Sequence, residues 1–232
     1  MSLPIFYQKE LPSESSFALS EETSKHIIQV LRMKQNEQLQ LTDGKGKIVT
    51  AEIVAENKIV TEVKVLSISH IPPRTSNIAI AISLIKNNSR FEWFLEKATE
   101  IGVSEIVPLI CERTEKQNFR YDRMKSILVS GMLQSRQAWL PILHEPTKFS
   151  EVIKNSSQQN KYIAHCFEEE KKELSNAIIK QSSIICIGPE GDFTKFEVGF
   201  AIQNSFLPVS LGDTRLRTET AGMVACVLLN KQ

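Results

Sequence analysis

No two cysteines of this chain stand in a CxxC pair. The four present, Cys111, Cys166, Cys186 and Cys226, all lie in apolar runs, which argues for buried thiols in a reducing compartment. The four histidines (His26, His70, His144, His165) are scattered and show no zinc-ligand spacing. No apolar stretch approaches the ~20 residues of a membrane helix. The start, MSLPIFYQKELP, lacks the charged opening and long apolar core of a secretory signal. The expected place is therefore the cytoplasm, with neither membrane nor metal as partner. Net charge is only +1, so any nucleic-acid binding must come from a local patch. GxGxxG and P-loop patterns are absent, which counts against an α/β enzyme built on a dinucleotide or triphosphate site. Internal repeats and low-complexity segments are absent too.

What is present reads as two grammars within 232 residues, 41% of them apolar and 24% charged, enough for one large or two small domains. Residues 37–69 hold short alternating segments, EQLQLTD, KIVTAEIVAE and KIVTEVKVLSIS, broken at Asp43-Gly44 and Glu56-Asn57. Period two with tight turns predicts antiparallel strands. EETSKHIIQVLRM before them predicts one short helix with Ile27, Val30 and Leu31 on a face. Pro72-Pro73 reads as a linker, dividing the chain into 1–72 and 73–232. Beyond it, apolar strands (Ile78 to Ile85, Glu105 to Cys111, Lys161 to Cys166, Ser183 to Ile187, Pro208 to Leu211) alternate with helical patterns. One helix carries Phe91, Phe94, Leu95, Ala98 and Ile101 and closes at Gly102; another holds Leu174, Ala177 and Ile178. EEEKKE (168–173) reads as a solvated first helical turn. The alternation predicts an α/β fold with a parallel sheet covered on both faces, where ligands sit beyond the C-terminal ends of the strands.

Two strand-end loops stand out. In ICIGPEGDFTKFEV, Thr194-Lys195-Phe196-Glu197 fits a capping box, with Phe193 and Val198 at the staple positions. Capping does not require Gly188-Pro189-Glu190-Gly191. Two glycines around Pro-Glu suggest a rigid backbone open to close approach. Glu190 suits a ribose hydroxyl, an exocyclic amine or a backbone amide, in a ligand site or simply in a turn. The second loop, LGDTRLRTETA, leads into AGMVACVLL, apolar all round, which predicts burial inside a domain or against a second subunit. Arg217 and Glu219 at its start need partners, either each other or a ligand. A third feature is a stretch from 113 to 137 with six cations (Arg113, Lys116, Arg120, Arg123, Lys125, Arg136) against Glu115 and Asp122. Lys86, Arg90 and Arg74 add to it. It suits phosphate contacts; a solvated helix face explains it as well.

GPEG after an apolar strand, followed about twenty residues on by LG…LRTETA, resembles the RsmE family of 16S rRNA uridine N3-methyltransferases, of the SPOUT class. HIIQVLRM with LTDGKG looks like that family's N-terminal PUA-like β-barrel. EKATEIGVSEIVPLICER looks like its first helix–strand unit, and LQSRQAWLP occupies the place of its Glu-Gln-Ser segment. The resemblance implies a C-terminal SPOUT domain with a trefoil knot, S-adenosylmethionine as cofactor, a homodimer, and a uridine of 16S rRNA in the small ribosomal subunit as target. Cofactor binding would fall to Gly188, Glu190 and Gly191; to Leu211, Gly212, Leu216, Arg217, Thr218 and Thr220; and to Ala164 and His165 at the preceding strand end, a weaker match that extends to Cys166. RNA binding would fall to Arg32 in the barrel and to Lys86, Arg90, Arg113, Arg120, Arg123 and Arg136. The chain departs from the family pattern at Asp192, where Gly is usual, at Leu133 for Glu, at Gln137 for Arg and at Pro4 for Arg. Catalysis is expected from Arg217, as a cation for the charge that develops on the uracil carbonyls. Glu219 is expected either to orient Arg217 or to accept the proton. Two other readings stay open: a SPOUT methyltransferase acting on another RNA nucleotide, and a non-catalytic RNA-binding or assembly protein.

Overall fold

The computed structural model describes residues 3–12, 14–75, 77–176 and 181–230. The chain forms two compact units. One runs to Pro73 and takes back the later segment Met132–Leu140; the other comprises Arg74–Gly131 and the chain from Pro141 onward.

In the N-terminal unit, β1 (Ile5–Tyr7), β2 (Ser16–Ala18), β3 (Gln38–Thr42), β4 (Lys47–Ala55) and β5 (Glu62–His70) form one sheet in the order β1-β3-β4-β5-β2. β3, β4 and β5 are the expected antiparallel meander, while β1 pairs parallel with β3. Alternate residues Leu39, Leu41, Val49, Ala51, Ile53 and Val63 are fully buried and pack with Phe6, Phe17 and Ile27. β5 starts at Glu62 rather than Lys58. The Asn57 side chain accepts from the amides of Ile59 (2.9 Å) and Val60 (3.4 Å), a local turn that competes with the ladder.

The single helix expected over EETSKHIIQVLRM is two pieces. α1 (Glu21–Lys25) is capped by the Ser20 hydroxyl, and a wider π turn follows over His26–Val30. There Leu31 N–H reaches His26 O, five residues back. The changed period takes Val30 and Leu31 off the buried face (67% and 44% exposed), leaving Ile27 in the core. The glycines of LTDGKG have a steric cause. Gly46 has φ +93°, and a Cβ there would lie 2.6 Å from Ile71 O and from the Trp139 ring. Around them Leu140 N–H donates to Gly44 O (2.8 Å), Gly46 N–H to Ala138 O (2.9 Å) and Trp139 Nε1 to Ile71 O (3.0 Å). These bonds tie the returning segment into this unit.

The C-terminal unit alternates as expected: β6 (Ile78–Ser83), α2 (Asn88–Ile101), β7 (Glu105–Ile110), α3 (Tyr121–Gln134), β8 (Ile142–Leu143), β9 (Thr147–Lys148), α4 (Phe149–Asn155), β10 (Asn160–Ala164), β11 (Lys172–Glu173), β12 (Ser183–Ile187), α5 (Lys195–Gln203), β13 (Leu207–Ser210) and α6 (Thr218–Leu229). The sheet is parallel, in the order β11-β13-β10-β12-β6-β7-β8, with β9 also beside β7. The α/β reading is borne out. Every residue of β6 is buried. Ala79 and Ala81 pack with Phe149, Val152, Phe193 and Val198 on one face. On the other, a Cβ added at Gly222 of α6 would fall 2.7 Å from Phe94 of α2 and 2.8 Å from Ile82. Glycine therefore sets how closely α6 seats, and each buried Ile contributes about 1.5–3 kcal/mol. α2 is capped by the Asn87 side chain and closed by Gly102 in the left-handed region.

Three expectations change here. EEEKKE is a bend followed by β11, not a helical turn: Lys171 Nζ turns back to the carbonyls of His165 (2.8 Å) and Phe167 (2.9 Å). The helix expected around Leu174 is one 3₁₀ turn, Leu174–Asn176; Ala177 and Ile178 lie outside the described residues. α6 is not buried all round within one chain. It buries Gly222, Ala225, Cys226 and Leu229, while Val227 is 51% exposed.

Candidate cofactor and active site

The loops after β10, β12 and β13, together with the first turn of α6, line one cavity of about 610 Å³. All three follow parallel strands at their C-terminal ends, where strand and helix termini leave backbone groups unpaired. Of the residues matched to cofactor loops, all line this cavity except Gly191 and Thr220. Of those matched to RNA contact, only Arg90 does.

The GPEG loop is held mainly by its own chain. Asp192 N–H donates to Pro189 O (2.9 Å), closing the turn. Neither Gly188 nor Gly191 has a positive φ; the left-handed residue is Asp192, at φ +64°. That accounts for glycine in the family pattern, since Asp is among the few side chains that tolerate this region. Gly188 is needed for packing, because a Cβ would lie 3.1 Å from the ring of Phe193, which is fully buried beneath the loop. Glu190 Oε1 accepts from Lys86 N–H (3.0 Å), so of the possible partners the one present is a backbone amide. Arg113 Nη1 donates to Gly191 O (2.7 Å). The expected capping box is formed: Thr194 Oγ1 accepts from Glu197 N–H (3.2 Å), and Glu197 Oε2 accepts from Thr194 N–H (2.8 Å).

Asp192 also reaches across the site. Its Oδ1 accepts from Phe193 N–H (2.7 Å) and its Oδ2 from Cys166 N–H (2.8 Å). One carboxylate thus ties the loop after β12 to the loop after β10. Thr218 Oγ1, buried, donates to Gly188 O (3.0 Å) and ties in the third loop. Gly212, at φ +130°, turns that loop with its N–H on Ser210 Oγ (3.2 Å).

Arg217 and Glu219 do not pair with each other. Arg217 is exposed at the cavity edge and is the N-cap residue of α6, without a side-chain cap. Glu219 is buried (8% exposed), and its ion pair is with Arg90 Nε at 3.7 Å. His165 is buried; its Nδ1 accepts from Phe167 N–H (3.3 Å), and its Nε2 has no hydrogen-bond partner among the described residues. Burial, then nearby Lys171, pushes its basicity down, so the ring is neutral and Nε2 carries the proton. Sequence reasoning missed Arg90, Arg113 and Lys171 as members or braces of this site, and it matched Cys166 only weakly, without its tie to Asp192. Their partners are 129, 78, 6 and 26 residues away, and only for Lys171 did a local signal exist, a lone cation pair breaking an acidic run.

The basic stretch is largely engaged. Arg123 makes two bonds to Glu92, at 2.5 and 2.7 Å, and Lys86 Nζ meets Glu115 at 2.7 Å. Arg32 and Arg120 are exposed.

A parallel α/β unit with three strand-end loops around one cavity, joined to a small β unit, defines a ligand-binding enzyme scaffold carrying an accessory domain. The chain belongs to the RNA methyltransferase family: that domain's model matches residues 72–230, and an RNA methyltransferase PUA domain matches residues 19–66. The resemblance read from GPEG and LRTETA is thereby borne out. Among curated relatives, ribosomal RNA small subunit methyltransferase E of Synechocystis is 28% identical over 94% of this chain and 73% of its own. Among solved structures, a probable rRNA-methyltransferase of Porphyromonas gingivalis is 36% identical with a TM-score of 0.91, covering 97% of this chain and 96% of that one. Ribosomal RNA small subunit methyltransferase E of Neisseria gonorrhoeae, solved bound to S-adenosyl methionine, is 29% identical with a TM-score of 0.88 and covers 97% and 96%.

Proposed function

We propose that the chain transfers a methyl group from S-adenosylmethionine to N3 of a uridine in 16S rRNA of the small ribosomal subunit. The observation that carries this is the 610 Å³ cavity formed by the GPEG and LGDTRLRTET loops, in a chain similar along its whole length to an enzyme bound to that methyl donor. The residues present fit the donor. The cavity offers cations and carboxylates for its charged ends, and the unpartnered Nε2–H of His165 beside the cavity is a spare hydrogen-bond donor. Ala164, His165, Gly188, Glu190, Leu211, Gly212, Leu216, Arg217 and Thr218 would hold it, with Gly191 and Thr220 shaping the loops.

When bound, the donor supplies an electrophilic methyl on a sulfonium. The chain's task is then positioning. Arg217, exposed and beside the cavity, faces the charge that grows on the uracil carbonyls. Uridine must be unpaired or extruded to reach it. The unit up to Pro73 and Arg32, Lys86, Arg113, Arg120, Arg123 and Arg136 grip the RNA. The trefoil knot, a homodimer through the partly exposed α6, and a cytoplasmic place of work complete the reading. The exposed Val227 favours the dimer; no helix among the described residues is long and apolar enough to cross a membrane. The test is mass spectrometry of rRNA nucleosides after incubating small subunits with the chain and methyl donor. N3-methyluridine is the expected product. A methylated nucleoside of another kind would favour a different RNA target, and none at all the non-catalytic alternative.

A further inference from the structure

Glu219 is the least satisfied acid of the site. Its side chain is only 10% exposed, it accepts no hydrogen bond from the described residues, and its one charged partner, Arg90 Nε, stands at 3.7 Å, beyond hydrogen-bond reach. A buried carboxylate with open acceptor positions needs a donor. Glu219 lines the cavity, so a donor can come from a ligand there. Arg90 is equally out of place by local rules. It sits in the first turn of α2, whose Asn87 cap precedes it by three residues, and the dipole disfavours a cation at that end. Glu219 is in the first turn of α6, where an anion is favoured. α2 and α6 pack on each other, and with Arg90 and Glu219 3.7 Å apart each charge offsets the other at the cavity wall.

We propose that Glu219 is the proton acceptor of the methyl transfer and that Arg90 is its positioning residue, holding the carboxylate at the cavity wall rather than gripping RNA phosphate. This rests on the methyltransferase reading above. In the step, the N3–CH3 bond forms as the donor's S–CH3 bond breaks. The bonding pair stays on sulfur, leaving a neutral thioether, and the N3 proton passes to a Glu219 oxygen. Arg217 remains free to face the carbonyls, because Glu219 takes its orientation from α2.

The experiment compares wild type, Glu219→Gln, Arg90→Gln and Arg90→Lys by calorimetry with S-adenosylmethionine and by steady-state methylation of small subunits, read as N3-methyluridine. All four should bind the donor alike. Glu219→Gln should lower kcat about a hundredfold or more. Arg90→Gln should lower kcat about tenfold to a hundredfold with KM for the subunit unchanged, and Arg90→Lys should restore most of it. A raised KM with intact kcat in Arg90→Gln would make Arg90 a phosphate contact and overturn the proposal. Loss of donor binding in Glu219→Gln or Arg90→Gln would overturn it too, assigning the pair to the cofactor. If the wild-type chain itself gives no methylated nucleoside, the functional reading falls and the proposal with it.

Discussion

Replacing Asp192 separates two things that one residue does. Its carboxylate accepts from the amides of Cys166 (2.8 Å) and Phe193 (2.7 Å), and its backbone sits at φ +64°. Bonds to a charged acceptor contribute about 1.5–3 kcal/mol each. Asp192 is only half-buried, so solvent screening puts the pair at about 2–3 kcal/mol together. The left-handed backbone costs an alanine a further ~1–2 kcal/mol and a glycine nothing in strain. Asp192→Gly should therefore lose about 2–3 kcal/mol and Asp192→Ala about 3–5, while Asp192→Asn, which keeps one carbonyl acceptor, should fall between wild type and Gly. For a chain of this size each kcal/mol moves the melting point by about 2–4 °C, so the ordering is readable by calorimetry. Asp192→Gly should still methylate rRNA, since the resembling family has glycine there. An Asp192→Gly variant that melts with wild type would refute the bracing role. Equal melting of the Ala and Gly variants would refute the strain.

Arg217→Ala should retain most donor affinity, since eight other cavity residues would also hold the donor, and lose about a hundredfold or more in turnover, because the charge it faces develops only in the transition state; wild-type turnover would sink that role. Of the four thiols, Cys111, Cys186 and Cys226 are buried. Burial pushes Cys111 up to about 12 and Cys186 and Cys226 up as well. Iodoacetamide should therefore label Cys166 first in the folded chain, and S-adenosylmethionine should slow that labelling, since Cys166 lines the cavity. Unchanged labelling at saturating donor would contradict the site. Gly46→Ala should destabilise the N-terminal unit by about 2–4 kcal/mol through a strained φ and overpacking against Trp139, checked by its denaturation midpoint. His165 is held below its ordinary value of 6.5 by burial. The unfolded chain therefore binds that proton first as pH falls. The stability His165 contributes should be complete above about pH 6.5 and lost as pH falls through its depressed value, and the loss should be smaller in His165→Gln melts over the same range.

Period and punctuation carried most of the fold. The strands of the parallel sheet, the closing glycine of α2 and the capping box at Thr194 all follow from residues within a few positions of each other. Where reading failed, the deciding partner was elsewhere in the chain or in a side chain's competition with the backbone. The π turn over His26–Val30 leaves no periodic signature until Leu31 is seen bonded to His26. Asn57 takes two amides that the pattern KIVT assigned to a strand. Lys171 unwinds an acidic run that reads as a helix start. LTDGKG and QAWLP read as unrelated pieces because neither says that Gly46 clears space for Trp139, 93 positions on.

The site shows a sharper version of the same limit. GPEG attracts attention because its glycines, proline and acid exceed what a turn needs, yet nearly all of that chemistry is used inside the chain. Gly188 makes room for Phe193, Glu190 holds Lys86, Gly191 is held by Arg113, and Asp192 takes two amides. A loop so fully bonded is rigid before any ligand arrives, and preorganisation is what positioning chemistry requires. Specific ligand contacts must then come from groups the loops have not consumed. On the proposed function His165 Nε2, Glu219 and Arg217 are such groups: among the described residues, one buried donor finds no partner, one buried acid accepts no hydrogen bond, and one exposed cation stands at the cavity edge. Sequence resemblance pointed to the neighbourhood through the residues that build it. It also named these three residues; the structure adds which of their groups stand without a hydrogen-bond partner among the described residues, and that is legible in three dimensions alone.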